Sequence, residues 1–295
     1  MLGAARRVGR GADRWGRGAP RRGRSVPGDE GADPRYLRHG WGRLGQDRDR
    51  GRSSLLVGHR DRGRLVLLSK NAGAGRRTLH LGAKIEIGPH GAARALAETG
   101  FCFLFARRFH PSMRNVAFVR ESLGVRTLFN WLGPLANPAR ATHQLVGVPE
   151  RSRLEAMARV LQALGVSRAL VVHGAGGLDE LSLESGNEAF LVEQGSAPRP
   201  VSIEAAALGL APAPAPALGG GDAAQNAVHV RAVLSGERGP RRDAVVLNAA
   251  AALWIAQRAS SLEEGARLAA ESLDSGAAKS TLERYVEISQ TAGEE

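Results

Sequence analysis

Two uninterrupted apolar runs restrict the fold of this chain more than any other feature. FCFLFA at 101–106 and ALVVH at 169–173 leave no polar face to turn toward water. Such runs fit strands covered on both sides, as in a parallel sheet between two helical layers. QLVGV at 144–148 reads as a third strand. Between and around them lie segments of helical length, closed by glycine. PHGAARALAE at 89–98 predicts a short helix stopped by Gly100. HPSMRNVAFVRESL at 110–123 predicts another, with Pro111 at a tolerated first-turn position and Gly124 beyond its end. The amphipathic stretch 150–164 is a third, ended by Gly165. Strand, helix, strand at this spacing argues for βαβ units.

Beyond Gly177, LDELSLE and EAFLVEQG read as more exposed strands. The Ala-Pro stretch 211–217 reads as a loop, and four helices follow, at about 222–235, 241–258, 262–274 and 277–289. Gly174, Gly176 and Gly177 follow a strand but open no helix and lack the G-x-G-x-x-G spacing, so a dinucleotide site is not expected. Gly219 to Gly221 precede Asp222, a good helix N-cap, and capping is the favoured role there over an anion site.

Charge divides the chain. Residues 1–80 hold 20 of the 41 Lys and Arg but 7 of the 29 Asp and Glu, a net of +13; the other 215 residues carry −1. The basic segment is rich in Arg and Gly and has little hydrophobic periodicity, so a packed core is not expected within it. A basic arm would point to nucleic acid, but no helical charge stripe and no interleaved aromatics accompany it. A disordered or non-native segment up to residue 80, followed by an α/β domain over 81–295, is the favoured division. No run of 18 apolar residues exists and the basic start has no apolar h-region, so neither a membrane span nor a secretory leader is expected. The single cysteine, Cys102, excludes an internal disulfide and a multi-cysteine metal site. A cytoplasmic protein is the expectation.

Four blocks carry more than periodicity: GFCFLFARRFHPSMRNVAFVRESLGVRTLFNWLGPLANPA at 100–139, QLVGV at 144–148, ALVVHGAGGLDELS at 169–182, and GGGDAAQNAVHVRAVLSGERGPRRDAVVLNAAAAL at 219–253. In this order they resemble the anthranilate phosphoribosyltransferases. The resemblance implies a nucleoside phosphorylase and phosphoribosyltransferase-like α/β fold, a mixed, largely parallel central sheet flanked by helices. It implies transfer of phosphoribosyl from phosphoribosyl pyrophosphate to anthranilate, in tryptophan biosynthesis. Magnesium on the pyrophosphate is implied as cofactor, and Asp179 and Glu180 match the family's acidic pair that serves it. Arg120 matches the arginine that receives the anthranilate carboxylate, for which a guanidinium fork is suited. His110 and Asn115 lie earlier on the same predicted helix, His110 lining the substrate channel. Asn226 and Asn248 are expected to make structural hydrogen bonds, and Trp131 and Trp254 to sit in the core.

The departures fall at the start. The family's phosphate loop GTGGD, and its N-x-S-T and KHGN segments, do not occur in residues 1–80, and its N-terminal helical, dimer-building domain is not recognisable, which puts a family homodimer in doubt. Read one base forward, with Arg as CGN, RYLRHGWGRLGQ at 35–46 permits D-T-C-G-T-G-G-D-G-S-G. A frame error over much of the first 80 residues is therefore the favoured account. Without the phosphate loop, this polypeptide is expected to be inactive, and the apolar faces of FCFLFA and ALVVH to be exposed. The alternatives are a related phosphorylase and a nucleic-acid-binding homologue of the same fold.

Overall fold

The computed structural model describes residues 65–69, 78–109, 135, 139 and 141–293. The predicted helix 110–123, with Gly124 and Trp131, lies outside them. Strand β1 (Leu65–Ser69) pairs in parallel with β2 (Phe101–Phe105), Leu65 opposite Phe101. Helix α1 (Pro89–Thr99) leads directly into β2; Gly100 closes it in the left-handed region, its N–H donating to the Leu96 carbonyl. Both ends match the sequence reading, because proline at the start and glycine at the stop act locally. β1 lies ahead of residue 81, where composition places the domain boundary.

The second sheet has the order β3-β4-β5-β6. β3 (His143–Gly147) and β4 (Arg168–His173) are parallel and joined by α2 (Leu154–Ala163), the βαβ unit expected. Gly165, at φ +74°, ends α2. β5 (Asn187–Glu193) and β6 (Arg199–Ile203) then add antiparallel pairings, so the sheet is mixed. Alternation along β4 explains its continuous apolar run. Ala169 and Val171 point into one core with Leu154, Met157 and Leu161 of α2. Leu170 and Val172 point into the other.

That other core is closed by α4 (Pro240–Ile255), through Leu247, Ala251 and Ile255. α3 (Ala223–Leu234) precedes it; α5 (Leu262–Asp274) and α6 (Ala277–Thr291) follow. These are the four helices expected, within a few residues. α5 packs closely on α4 because Gly265 has no Cβ; one there would stand 2.7 Å from the Ala250 carbonyl oxygen. Tyr285 of α6 is fully buried and meets Phe101 edge to face, ring centroids 4.9 Å apart.

Two expectations are corrected. Residues 102–105 and 169–172 are buried, so the apolar faces of FCFLFA and ALVVH are covered rather than exposed. LDELSLE forms no strand; its backbone is held by side chains instead. EAFLVEQG does form a strand, β5, less covered than β2 to β4 as expected: Asn187, Ala189, Leu191 and Val192 are buried, while Glu188, Phe190 and Glu193 are partly exposed. No helix of the described residues is long and apolar enough to cross a membrane.

Candidate functional site

In open α/β sheets, the ends of parallel strands where chain segments diverge are the usual place for a ligand. Here β3 ends at Gly147 and β4 runs out through His173 into Gly174. The chain then folds back. Gly174 and Leu178 exchange backbone hydrogen bonds, the Gly174 N–H donating to Leu178 at 2.9 Å and the Leu178 N–H to Gly174 at 3.2 Å. The intervening turn uses Gly176 and Gly177, both at positive φ, where a side chain would be strained. Asp179 and Glu180 come next, lying over the two strand ends.

Their placement is fixed by two glycines without side chains. A Cβ on Gly147 would stand 1.6 Å from the Asp179 carbonyl oxygen, and one on Gly174 would stand 2.1 Å from the Glu180 carbonyl oxygen. Only glycine lets the acidic segment settle this closely on the sheet. A glycine inside an apolar strand is a known sign of close backbone approach, and QLVGV carried that sign at Gly147. Behind the acids, Leu181 and Leu183 are buried in the core with Leu145 and Leu170. The Asn248 amide bonds both the N–H and the C=O of Leu181, at 3.0 and 2.9 Å. Asn187 does the same at Ser182, at 2.8 Å each way. The structural role expected of Asn248 is thus present, and its partner is the acidic loop. His173, at the end of β4, has Nδ1 3.0 Å from the Val148 carbonyl oxygen.

The two acids are half-buried, and one Asp179 carboxylate oxygen is fully so. Among the described residues no group of three or more His, Cys, Asp and Glu gathers into a cage. Two adjacent hard carboxylates on a fixed backbone fit magnesium in a particular way, because that ion commonly takes one or two protein carboxylates and completes its octahedron with water and substrate phosphate. The donor set therefore suits a magnesium ion held by the two carboxylates, with its remaining positions open to water and phosphate. His110, Asn115 and Arg120 lie outside the described residues and rest on the sequence alone. Asp222 caps α3 as expected, accepting from the Gln225 N–H at 2.9 Å. The Asn226 amide closes the glycine loop on Gly221. Trp254 is only partly buried; Arg168 lies 4.9 Å from its ring centroid.

A mixed sheet between helical layers, with an acidic loop across its strand ends, agrees with the family model described as glycosyl transferase family, a/b domain, which matches residues 67–279. The chain belongs to that family. Its relatives there are anthranilate phosphoribosyltransferases. That of Roseiflexus castenholzii is 52% identical over 210 residues, covering 71% of this chain and 62% of the relative. That of Thermomicrobium roseum is 48% identical over 229 residues, 77% of this chain and 66% of the relative. The crystal structure from Thermus thermophilus is 43% identical, with a TM-score of 0.70, over 77% of this chain and 68% of that one. The Saccharomyces cerevisiae enzyme in complex with PRPP and Mg is 25% identical, with a TM-score of 0.69, over 77% and 65%. The chain thus spans somewhat over three fifths of the Roseiflexus relative's length.

Proposed function

We propose that this fold serves phosphoribosyl transfer from phosphoribosyl pyrophosphate to anthranilate, with Asp179 and Glu180 holding magnesium, and that this polypeptide stops short of turnover. The observation that carries the reading is the seating of the acidic pair on Gly147 and Gly174 at the ends of two parallel strands. In the reaction the anthranilate nitrogen forms a bond to ribose C1 while the C1–oxygen bond to pyrophosphate breaks and the amine gives up a proton. Magnesium, when bound, neutralises charge on the departing pyrophosphate. The Asp179 and Glu180 carboxylates orient that end of the substrate. Arg120 pairs with the anthranilate carboxylate, and His110 and Asn115 line its approach. Positioning and charge stabilisation carry the rate, with no protein nucleophile.

Residues 1–80 contain no GTGGD loop, the run of backbone N–H groups that cradles phosphates in this family. That is the basis for proposing no turnover. The proposed setting is the cytoplasm, with small-molecule substrates rather than nucleic acid as partners. The test is a Mn2+ titration of the full chain, followed by electron paramagnetic resonance. The wild type is expected to bind one Mn2+, and Asp179→Asn and Glu180→Gln to lose it. Equal binding by wild type and both variants would remove the acidic pair from the metal role.

A further inference from the structure

We infer that Asn248 is a positioning residue for the acidic pair, setting the metal affinity of Asp179 and Glu180 from helix α4; this rests on the metal role proposed above. The loop from Asp179 to Gly186 belongs to no strand ladder, so its backbone must find other partners. Leu181, the residue directly after Glu180, is buried at 1% exposure, and Asn248 takes both of its main-chain groups. A side-chain amide presents a donor and an acceptor side by side and so substitutes for a neighbouring strand at one residue. The same Nδ2 also donates to the Ala244 carbonyl oxygen one turn earlier, at 3.0 Å, which ties the side chain to its own helix. Asn248 stands between Leu247 and Ala249, both buried, on a helix whose core face grips β3 and β4. The anchor therefore moves with the sheet.

Asn187 makes a similar pair of bonds at Ser182, but from only five residues away, and it is further bound to the Ile203 carbonyl oxygen in β6. It shapes the local turn. Asn248 reaches across 67 residues and is the element that ties the acids to the body of the fold. Gly147 and Gly174 let the acidic backbone approach the strand ends, and Asn248 keeps it there. It bonds main-chain atoms of Leu181 and so acts through the loop rather than on a ligand.

The experiment uses the full chain and two readouts: amide hydrogen exchange at Leu181, and Mn2+ affinity by electron paramagnetic resonance. Asn248→Leu is compared with Leu273→Ala, a core change on α5 in a cluster that does not include the loop's leucines. Asn248→Leu is expected to speed Leu181 exchange and to weaken Mn2+ binding about 10- to 100-fold, the range of lost outer-shell support. Leu273→Ala is expected to lower the melting temperature and leave both readouts unchanged. Should Asn248→Leu fail to fold, Asn248→Asp keeps the shape and the bond from the Leu181 N–H while losing the bond to its carbonyl, and is expected to move both readouts in the same direction. Wild-type Mn2+ affinity in the Asn248 variants overturns the inference alone. Absence of Mn2+ binding by the wild type overturns the metal reading and this inference together.

Discussion

Gly147→Ala replaces one hydrogen with a methyl group at the end of β3, and its effect follows from geometry. Gly147 is not in the left-handed region, so alanine meets no conformational strain there. The new Cβ would lie 1.6 Å from the Asp179 carbonyl oxygen and 2.3 Å from its carbon. Ordinary carbon contacts need roughly 3.5 Å, so the backbone must retreat by about 1.5–2 Å. No flexible side chain is available to yield. The retreat pulls directly on the Asn248 bonds at Leu181, two residues away. Overpacking costs about 1–3 kcal/mol and the loss of one of these hydrogen bonds about 0.5–1.5 kcal/mol, giving roughly 2–4 kcal/mol. At about 2–4 °C per kcal/mol for a domain of this size, the melting temperature should fall by about 5–15 °C. The assay is thermal unfolding by circular dichroism beside Gly165→Ala. Gly165 has φ +74° and nothing within 4 Å of a Cβ, so its replacement costs only backbone strain, about 1–2 kcal/mol. A Gly147→Ala protein that melts with the wild type, or above Gly165→Ala, would refute the close seating of the acidic loop.

Leu170 is fully buried between β4 and α4, and Leu170→Ala should cost about 2–5 kcal/mol in equilibrium urea unfolding; a loss under about 1 kcal/mol would contradict its place in the core. Burial pushes the Cys102 thiol and the Tyr285 hydroxyl above their ordinary pKa values. Both groups hold their protons in the folded state when the unfolded chain has begun to release them. Stability should therefore be unaffected by them below about pH 8.5 and fall as pH rises beyond it, and native Cys102 should resist a thiol reagent at pH 8 until the protein is unfolded. Independent DNA sequence across codons 1–90 is expected to differ by an inserted or missing base that restores GTGGD; an unchanged frame would leave the basic segment genuine.

Helix ends were legible in the sequence because their determinants are local. Pro89, Gly100, Gly165 and Asp222 each act within one turn of where they stand. The buried strands were legible because β4 is apolar on both faces. The segment LDELSLE misled because its leucines alternate as a strand's would. Leu181 and Leu183 do point inward, yet the main chain is bound by amides from Asn187 and Asn248, and the second of these no local pattern announces. Two adjacent acids on a turn would ordinarily be a solvated corner, and only the surrounding motif gave Asp179 and Glu180 a role. The structure adds the cradle of Gly147 and Gly174, of which the first left a mark in the sequence as a glycine within an apolar strand.

The most direct test of the functional account is the initial rate of anthranilate consumption by the full chain with phosphoribosyl pyrophosphate and magnesium. No magnesium-dependent rate is expected, because residues 1–80 contain no GTGGD loop although Asp179 and Glu180 are seated on Gly147 and Gly174. A measurable rate, lost on Asp179→Asn, would contradict that expectation and show that residues 1–80 supply the phosphate contacts by another route.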